Sequence, residues 1–126
     1  MSTIKTLYTD AFSSELFARL APIKLLVCDV DGVFSDGRIY LGNQGEELKA
    51  FHTRDGYGIK SLARCDIQVA SITGRRSELV QRRMRALNVA HIIQGEEDKQ
   101  GALAQLMDTL SLKPHQVASM GDDMPD

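Results

Sequence analysis

Cysteine is scarce in this chain: 2 in 126 residues, Cys28 and Cys65, with no CxxC spacing. That excludes a dense disulfide framework and suits a reducing compartment. Excess positive charge is missing too. Lys and Arg number 15 against 17 Asp and Glu, a formal net charge of −2, which argues against a nucleic-acid partner. No apolar run approaches the length of a membrane span, and the opening Met1-Ser2-Thr3-Ile4-Lys5 lacks the apolar stretch of a signal peptide. The expectation is a cytoplasmic protein with neither nucleic-acid nor membrane partners. What is present is ordinary for one globular domain over residues 1–126: 43% hydrophobic, 25% charged, 10 Gly and 3 Pro. Arginines do gather locally, in Arg75-Arg76 and Arg82-Arg83 with Arg85, enough to hold one phosphate or carboxylate.

Phe12, Leu16, Phe17 and Leu20 fall at helical spacing behind Asp10 as a cap, and Pro22 closes that helix. Ile23 to Cys28 is a mostly apolar run that stops abruptly at Asp29-Val30-Asp31-Gly32, the pattern of a buried parallel strand. Residues 38–51 read as a hairpin turning at Gly42-Asn43-Gln44-Gly45. Helices near 57–65, 76–87 and 98–110 then alternate with strands at 67–73, 89–93 and 116–120. Such alternation predicts βαβ units around a parallel sheet, with ligands bound at the carboxyl ends of the strands.

At those ends stand Asp29 and Asp31, then Thr73-Gly74-Arg75, then Asp122 and Asp123. Two unit charges about 4 Å apart repel by roughly 4 kcal/mol at an effective dielectric near 20, so a carboxylate cluster calls for a cation. Oxygen ligands on short loops favour Mg²⁺ over zinc, and His52, His91 and His115 show no ligand spacing. A magnesium site beside Thr73, Lys99 and an arginine suits phosphoryl transfer, in which the cations neutralise the transferring group and the hydroxyl fixes its oxygens. One carboxylate can attack phosphorus, and a second can protonate the leaving alcohol and then deprotonate water. A lone DxD, a Thr before a helix or one helical Lys has a commonplace structural role. Their joint order at successive strand ends points to a site.

That ordered set, DxDG at 29–32, Thr73 within 72–75, Lys99 and GDDxxD at 121–126, resembles the haloacid dehalogenase superfamily. Longer segments resemble one branch, the 3-deoxy-D-manno-octulosonate 8-phosphate phosphatases: 30–37 (VDGVFSDG), 42–51 (GNQGEELKAF) and 54–59 (RDGYGI). The resemblance implies a Rossmann-like, doubly wound parallel sheet without a cap domain and with a hairpin inserted after the first strand. It implies Asp29 as nucleophile and magnesium ligand. Asp31 is implied as general acid/base, binding metal through its carbonyl. Asp122 is the third protein ligand, with Asp123 beside it, and Thr73 and Lys99 hold the phosphoryl group. Substrate contacts fall on Asp31, His52, Thr53, Arg54, Asp55, Gly56, Lys60, Arg75, Arg83 and Lys99. The partner implied is a small sugar phosphate, and the hairpin helps build a homotetramer whose subunits cover one another's sites. Family members continue past GDDxxD, so the expectation is that the C-terminal part of the fold is missing from these 126 residues and activity reduced with it. Alternatives are a phosphatase for a nine-carbon sialic-acid-type 9-phosphate and a non-catalytic, regulatory domain of the same fold. A receiver domain would place its acid pair on the first strand and its phosphorylated Asp on a middle one, and the order here is different.

Overall fold

A computed structural model describes residues 12–121. The elements in chain order are α1 (Ser14–Leu20), β1 (Leu25–Cys28), β2 (Tyr40–Leu41), β3 (Glu47–Leu48), α2 (Thr53–Arg64), β4 (Gln68–Thr73), α3 (Glu78–Ala86), β5 (His91–Gln94), α4 (Lys99–Leu110) and β6 (Val117–Met120). Four strands form one parallel sheet in the order β5-β4-β1-β6. The chain builds outward from β1 to β4 and β5, then crosses back to add β6 on the other side. Strand order therefore reverses between β1 and β6, the place where open α/β sheets leave a crevice for ligand.

The period of two along the strands sorts the core into two layers. Cys28 and Val69 face one side, joining Val30, Phe34 and Ile59 with Val80, Met84 and Leu87 of the α3 region. Leu25, Val27, Ala70 and Ile72 face the other side and meet Leu106, Leu103 and Leu110 of α4. Helices α2 and α3 thus cover one face and α4 the other, the expected doubly wound α/β architecture.

Several boundaries differ from those read in the sequence. Helix α2 begins at Thr53 rather than near 57, because the His52 ring caps it by accepting the Arg54 N–H at 3.0 Å. Helix α3 begins at Glu78 rather than 76, where the Ser77 hydroxyl accepts the Val80 N–H. The expected cap Asp10 lies outside the described residues; Ser13 caps α1. That helix buries none of its residues, and Phe12 packs edge-on against Phe17. The hairpin is shorter than its apolar pattern, with Tyr40 paired to Leu48 and Leu41 to Glu47, and an isolated Ser35–Phe51 bridge at its base.

Candidate active site

Strand β1 ends at Cys28, and the Asp29 N–H continues the ladder by donating to the Met120 carbonyl at 3.0 Å. This fixes Asp29 at the switch point between β1 and β6. The chain then turns sharply: the Val30 carbonyl accepts N–H bonds from Val33, Phe34 and Ser35 at 3.1, 2.8 and 3.1 Å. Val30 is buried and anchors the turn between the two half-buried acids. Gly32, at φ 84°, supplies the left-handed backbone that the turn after Asp31 needs. DxDG is thus a strand end and a tight turn that present two carboxylates around one buried valine.

Each acid meets a lysine from a different element. Lys99, the first residue of α4, brings its Nζ to 3.5 Å from Asp29 Oδ1, and the same oxygen accepts the Val30 N–H at 2.8 Å. The Asp98 carboxylate caps α4 by accepting the Gly101 N–H, which holds the helix start, and Lys99 with it, at the rim. A cavity of about 80 Å³ opens there, lined by Asp29, Lys99, Ile72, Ser119 and Gly121 among others. Asp31 instead meets the hairpin: Lys49 Nζ donates to Asp31 Oδ1 at 2.6 Å and lies 3.6 Å from Glu47 Oε1. The Lys49 side chain is 1% exposed. Glu47 also reaches the loop after β4, with Oε1 at 3.8 Å from Arg75 Nη2 and Oε2 accepting from the Ser77 hydroxyl at 3.3 Å.

Thr73 is buried at the end of β4, one strand over from Asp29, and its carbonyl accepts the Glu96 N–H. The first turn of α2 holds Thr53, Arg54, Asp55 and Gly56 behind the His52 cap, and the Asp55 charge reaches Cys28 at the end of β1. Arg83, in the last turn of α3, donates to the His52 carbonyl at 3.4 Å and sits 5.8 Å over the Phe51 ring. Lys60 lies further along α2 on its exposed side, and no hydrogen bond or ion pair between described residues ties it to this group. His91 bonds Gln68 near the opposite end of the sheet, and His115 lies in the turn before β6. Asp122 and Asp123 lie outside the described residues.

Burial raises the Cys28 thiol to about 11, and the charges of Asp55 and Asp29 add to the effect. It stays protonated at neutral pH. Among the described residues no three His, Cys, Asp or Glu side chains come together as a metal cage. The donors beside the switch point are oxygens, from Asp29 and the backbone of the following turn. That set fits a hard, oxygen-seeking divalent cation that keeps part of its water shell, and does not fit zinc.

No family model matches the chain. A search of curated proteins does find relatives. The 3-deoxy-D-manno-octulosonate 8-phosphate phosphatase of Yersinia pestis is 54% identical over 114 residues, covering 90% of this chain and 61% of that protein. The chain belongs to this phosphatase family, within the haloacid dehalogenase superfamily. It spans about three fifths of the length of the curated relatives it matches. The crystal structure of the phosphatase from Yersinia pestis superposes with a TM-score of 0.88 at 54% identity, covering 91% of this chain and 62% of that one. The phosphatase from Moraxella catarrhalis, solved in complex with magnesium ion, phosphate ion and KDO, gives 0.87 at 43% identity, covering 91% and 66%. Against this phosphatase background, Lys49, Glu47 and Ser77 are the site neighbours that the motif reading left unassigned. The available signal was Glu47-Leu48-Lys49: a period of two puts both charges on one face of a strand and Leu48 on the other, and Leu48 is the one that is 61% exposed.

Proposed function

We propose that the protein is a magnesium-dependent phosphatase that hydrolyses 3-deoxy-D-manno-octulosonate 8-phosphate to the free keto-sugar acid and phosphate. The observation that carries this reading is the Asp29 carboxylate at the strand-order reversal, with the Lys99 ammonium 3.5 Å away, in a member of this family. A nucleophile beside a phosphate-binding cation is the minimum that aspartyl-phosphate chemistry requires.

In this mechanism an Asp29 oxygen attacks phosphorus as the bond to the sugar oxygen breaks. Asp31 gives its proton to the departing alkoxide, so the products of the first step are the sugar alcohol and an aspartyl-phosphate. The Asp31 carboxylate then takes a proton from water, whose oxygen attacks phosphorus and releases phosphate from Asp29. Lys99 and Thr73 hold the phosphoryl oxygens. Magnesium, when bound, supplies positive charge against the oxygens of the transferring group; Asp29, the Asp31 carbonyl and Asp122 would hold it, with Asp123 alongside. His52, Thr53, Arg54, Asp55, Gly56, Lys60, Arg75 and Arg83 are proposed to receive the rest of the sugar acid. The arginines Arg75 and Arg83 are suited to its carboxylate because their planar forks match carboxylate geometry.

A homotetramer is proposed for the working form. Tyr40, Leu41 and Leu48 are 47%, 74% and 61% exposed on the hairpin, and a second subunit would cover them. Both cysteines are free thiols and no described helix is long and apolar enough to cross a membrane, which supports a cytoplasmic setting. The test is phosphate release by the full-length protein from the eight-carbon 8-phosphate and from a nine-carbon keto-sugar acid 9-phosphate, with Mg²⁺ and with EDTA. Turnover should favour the eight-carbon substrate, vanish in EDTA, and fall at least about 10³-fold in Asp29→Asn. Wild-type turnover by Asp29→Asn would overturn the mechanism.

A further inference from the structure

Lys49 is unusual for a residue of a short, solvent-facing hairpin. Its neighbour Leu48 is 61% exposed and Tyr40, paired with Leu48, is 47% exposed, yet the Lys49 side chain is 1% exposed. Lysine is almost never fully buried unless paired, and removing an ammonium from water costs several kcal/mol unless carboxylates replace the solvent. Two do so here. Asp31 Oδ1 accepts a hydrogen bond at 2.6 Å, and Glu47 Oε1 stands at 3.6 Å. Asp31 lies 18 residues earlier in the chain, so the contact is built by the fold and not by local geometry.

The pairing is one-sided. Lys49 engages Oδ1 of Asp31, and among the described residues no hydrogen bond reaches Oδ2. A carboxyl bound through one oxygen loses rotamer freedom, and its second oxygen keeps no protein donor among the described residues. Glu47 in turn ties the same strand to Ser77 and Arg75 across the rim. The strand that carries Lys49 is therefore held in place independently of its bond to Asp31.

The geometry points to Lys49 as a positioning residue: the hairpin inserts a buried ammonium that fixes the Asp31 carboxyl, leaving Oδ2 to serve the leaving sugar oxygen and then the attacking water. This rests on Asp31 being the general acid/base of the proposed reaction. It gives the hairpin a role inside its own subunit's active site, distinct from contact with neighbouring copies. Proton transfer by a positioned group contributes about 10²- to 10⁴-fold, and a loosened Asp31 forfeits part of that factor.

Leaving-group dependence tests this in the full-length protein with Mg²⁺. The ratio kcat/KM reports steps through formation of the aspartyl-phosphate. A sugar alkoxide needs a proton to depart, whereas nitrophenolate does not. Lys49→Met should lower kcat/KM for the sugar 8-phosphate by roughly 10- to 100-fold and for 4-nitrophenyl phosphate by less than about 3-fold. Lys49→Arg, which keeps the charge and secures a folded comparison, should shift the same ratio in the same direction by a smaller factor. In an Asp31→Asn background Lys49→Met should cost nothing further, since residues acting as a unit are non-additive. Equal losses on both substrates, no loss on either, or an undiminished penalty beside Asp31→Asn would overturn the assignment. If Asp29→Asn abolishes sugar-phosphate turnover and Asp31→Asn lowers it to a measurable residual level while Lys49→Met leaves the substrate ratio unmoved, only the role of Lys49 falls. If Asp29→Asn and Asp31→Asn themselves keep wild-type turnover, the proposed reaction falls and takes Lys49 with it.

Discussion

Gly56→Ala sets two known effects against each other at the point where the candidate site meets the core. Gly56 is buried in the first turns of α2. On helix propensity alone alanine is the better residue, by up to about 1 kcal/mol. The surroundings oppose it. A Cβ at position 56 would lie 2.9 Å from Leu87 Cδ2 and 3.0 Å from Arg83 Nη2. The guanidinium is the far end of a flexible side chain and can swing aside. Leu87 cannot do so cheaply, because it is 7% exposed within the layer formed by Ile59, Val80, Met84 and Val89. Forcing a methyl into a packed site costs typically about 1–3 kcal/mol, so the clash wins by about 1 kcal/mol.

The assay is urea unfolding of wild type, Gly56→Ala, Leu87→Ala and the double variant. Gly56→Ala should lower the midpoint, and its thermal midpoint should fall by about 3–5 °C. In the Leu87→Ala background the penalty should disappear and the helix-propensity gain emerge, a coupling of about 1–2 kcal/mol. The swing of Arg83 off the His52 carbonyl adds a functional signature, a raised KM with kcat little changed. A Gly56→Ala protein more stable than wild type would refute the reasoning, since it would mean that α2 slides away from α3 without cost.

Cys28 gives a pH test of the same region. Its thiol is pushed up to about 11 by burial first and then by Asp55 and Asp29, so the folded protein holds that proton more tightly than the unfolded chain does. The associated stability is complete below about pH 8.5 and is lost as pH rises toward 11. In EDTA, urea unfolding should show wild type losing about 2 kcal/mol more than Cys28→Ala between about pH 8 and pH 10.5; parallel pH profiles would refute it. Ser77→Ala should cost about 1 kcal/mol, through the lost cap on α3, and should also release Glu47 Oε2 from the α3 start. Ser13→Ala, which uncaps a helix with no buried residue, should change the global unfolding free energy by less than about 0.5 kcal/mol.

The sheet was legible in the sequence because its signals are local. Apolar runs such as Leu25–Cys28 and Gln68–Thr73 end where acids, Thr and Gly begin, and the helices between them set the parallel topology. The start of α2 was hidden by its chemistry: Gly56 and Gly58 lower helix propensity, and a histidine is not among the usual capping residues, yet the His52 ring supplies the missing acceptor. Asp29 and Lys99 were readable as motif members although 70 positions apart, since each sits at a strand or helix end that the topology brings to one rim. Lys49 was not, because its meaning depends on Asp31 and on which face of the hairpin turns inward. Nothing within a few residues of Lys49 records that choice.

That choice of face runs opposite to ordinary amphipathic logic, and the reversal has a physical reading. A half-buried hairpin normally turns its apolar side to the core and its charges to water. Here Glu47 and Lys49 point to the body of the protein, while Tyr40 and Leu48, paired on the other face, point to solvent. A two-stranded hairpin is marginal in water by itself, so something other than apolar burial must dock it. The contacts that do so are the Ser35–Phe51 bridge, the Lys49 ammonium on Asp31, and the Glu47 carboxylate on Ser77. Two of the three run through charged groups at the rim of the site. A second copy pressed onto the outer apolar face would add burial on the side where the hairpin has none, and would hold Lys49 against Asp31 without touching either. In the assembly proposed above, subunit contact and acid/base geometry would be stabilised by the same hairpin, one face serving each.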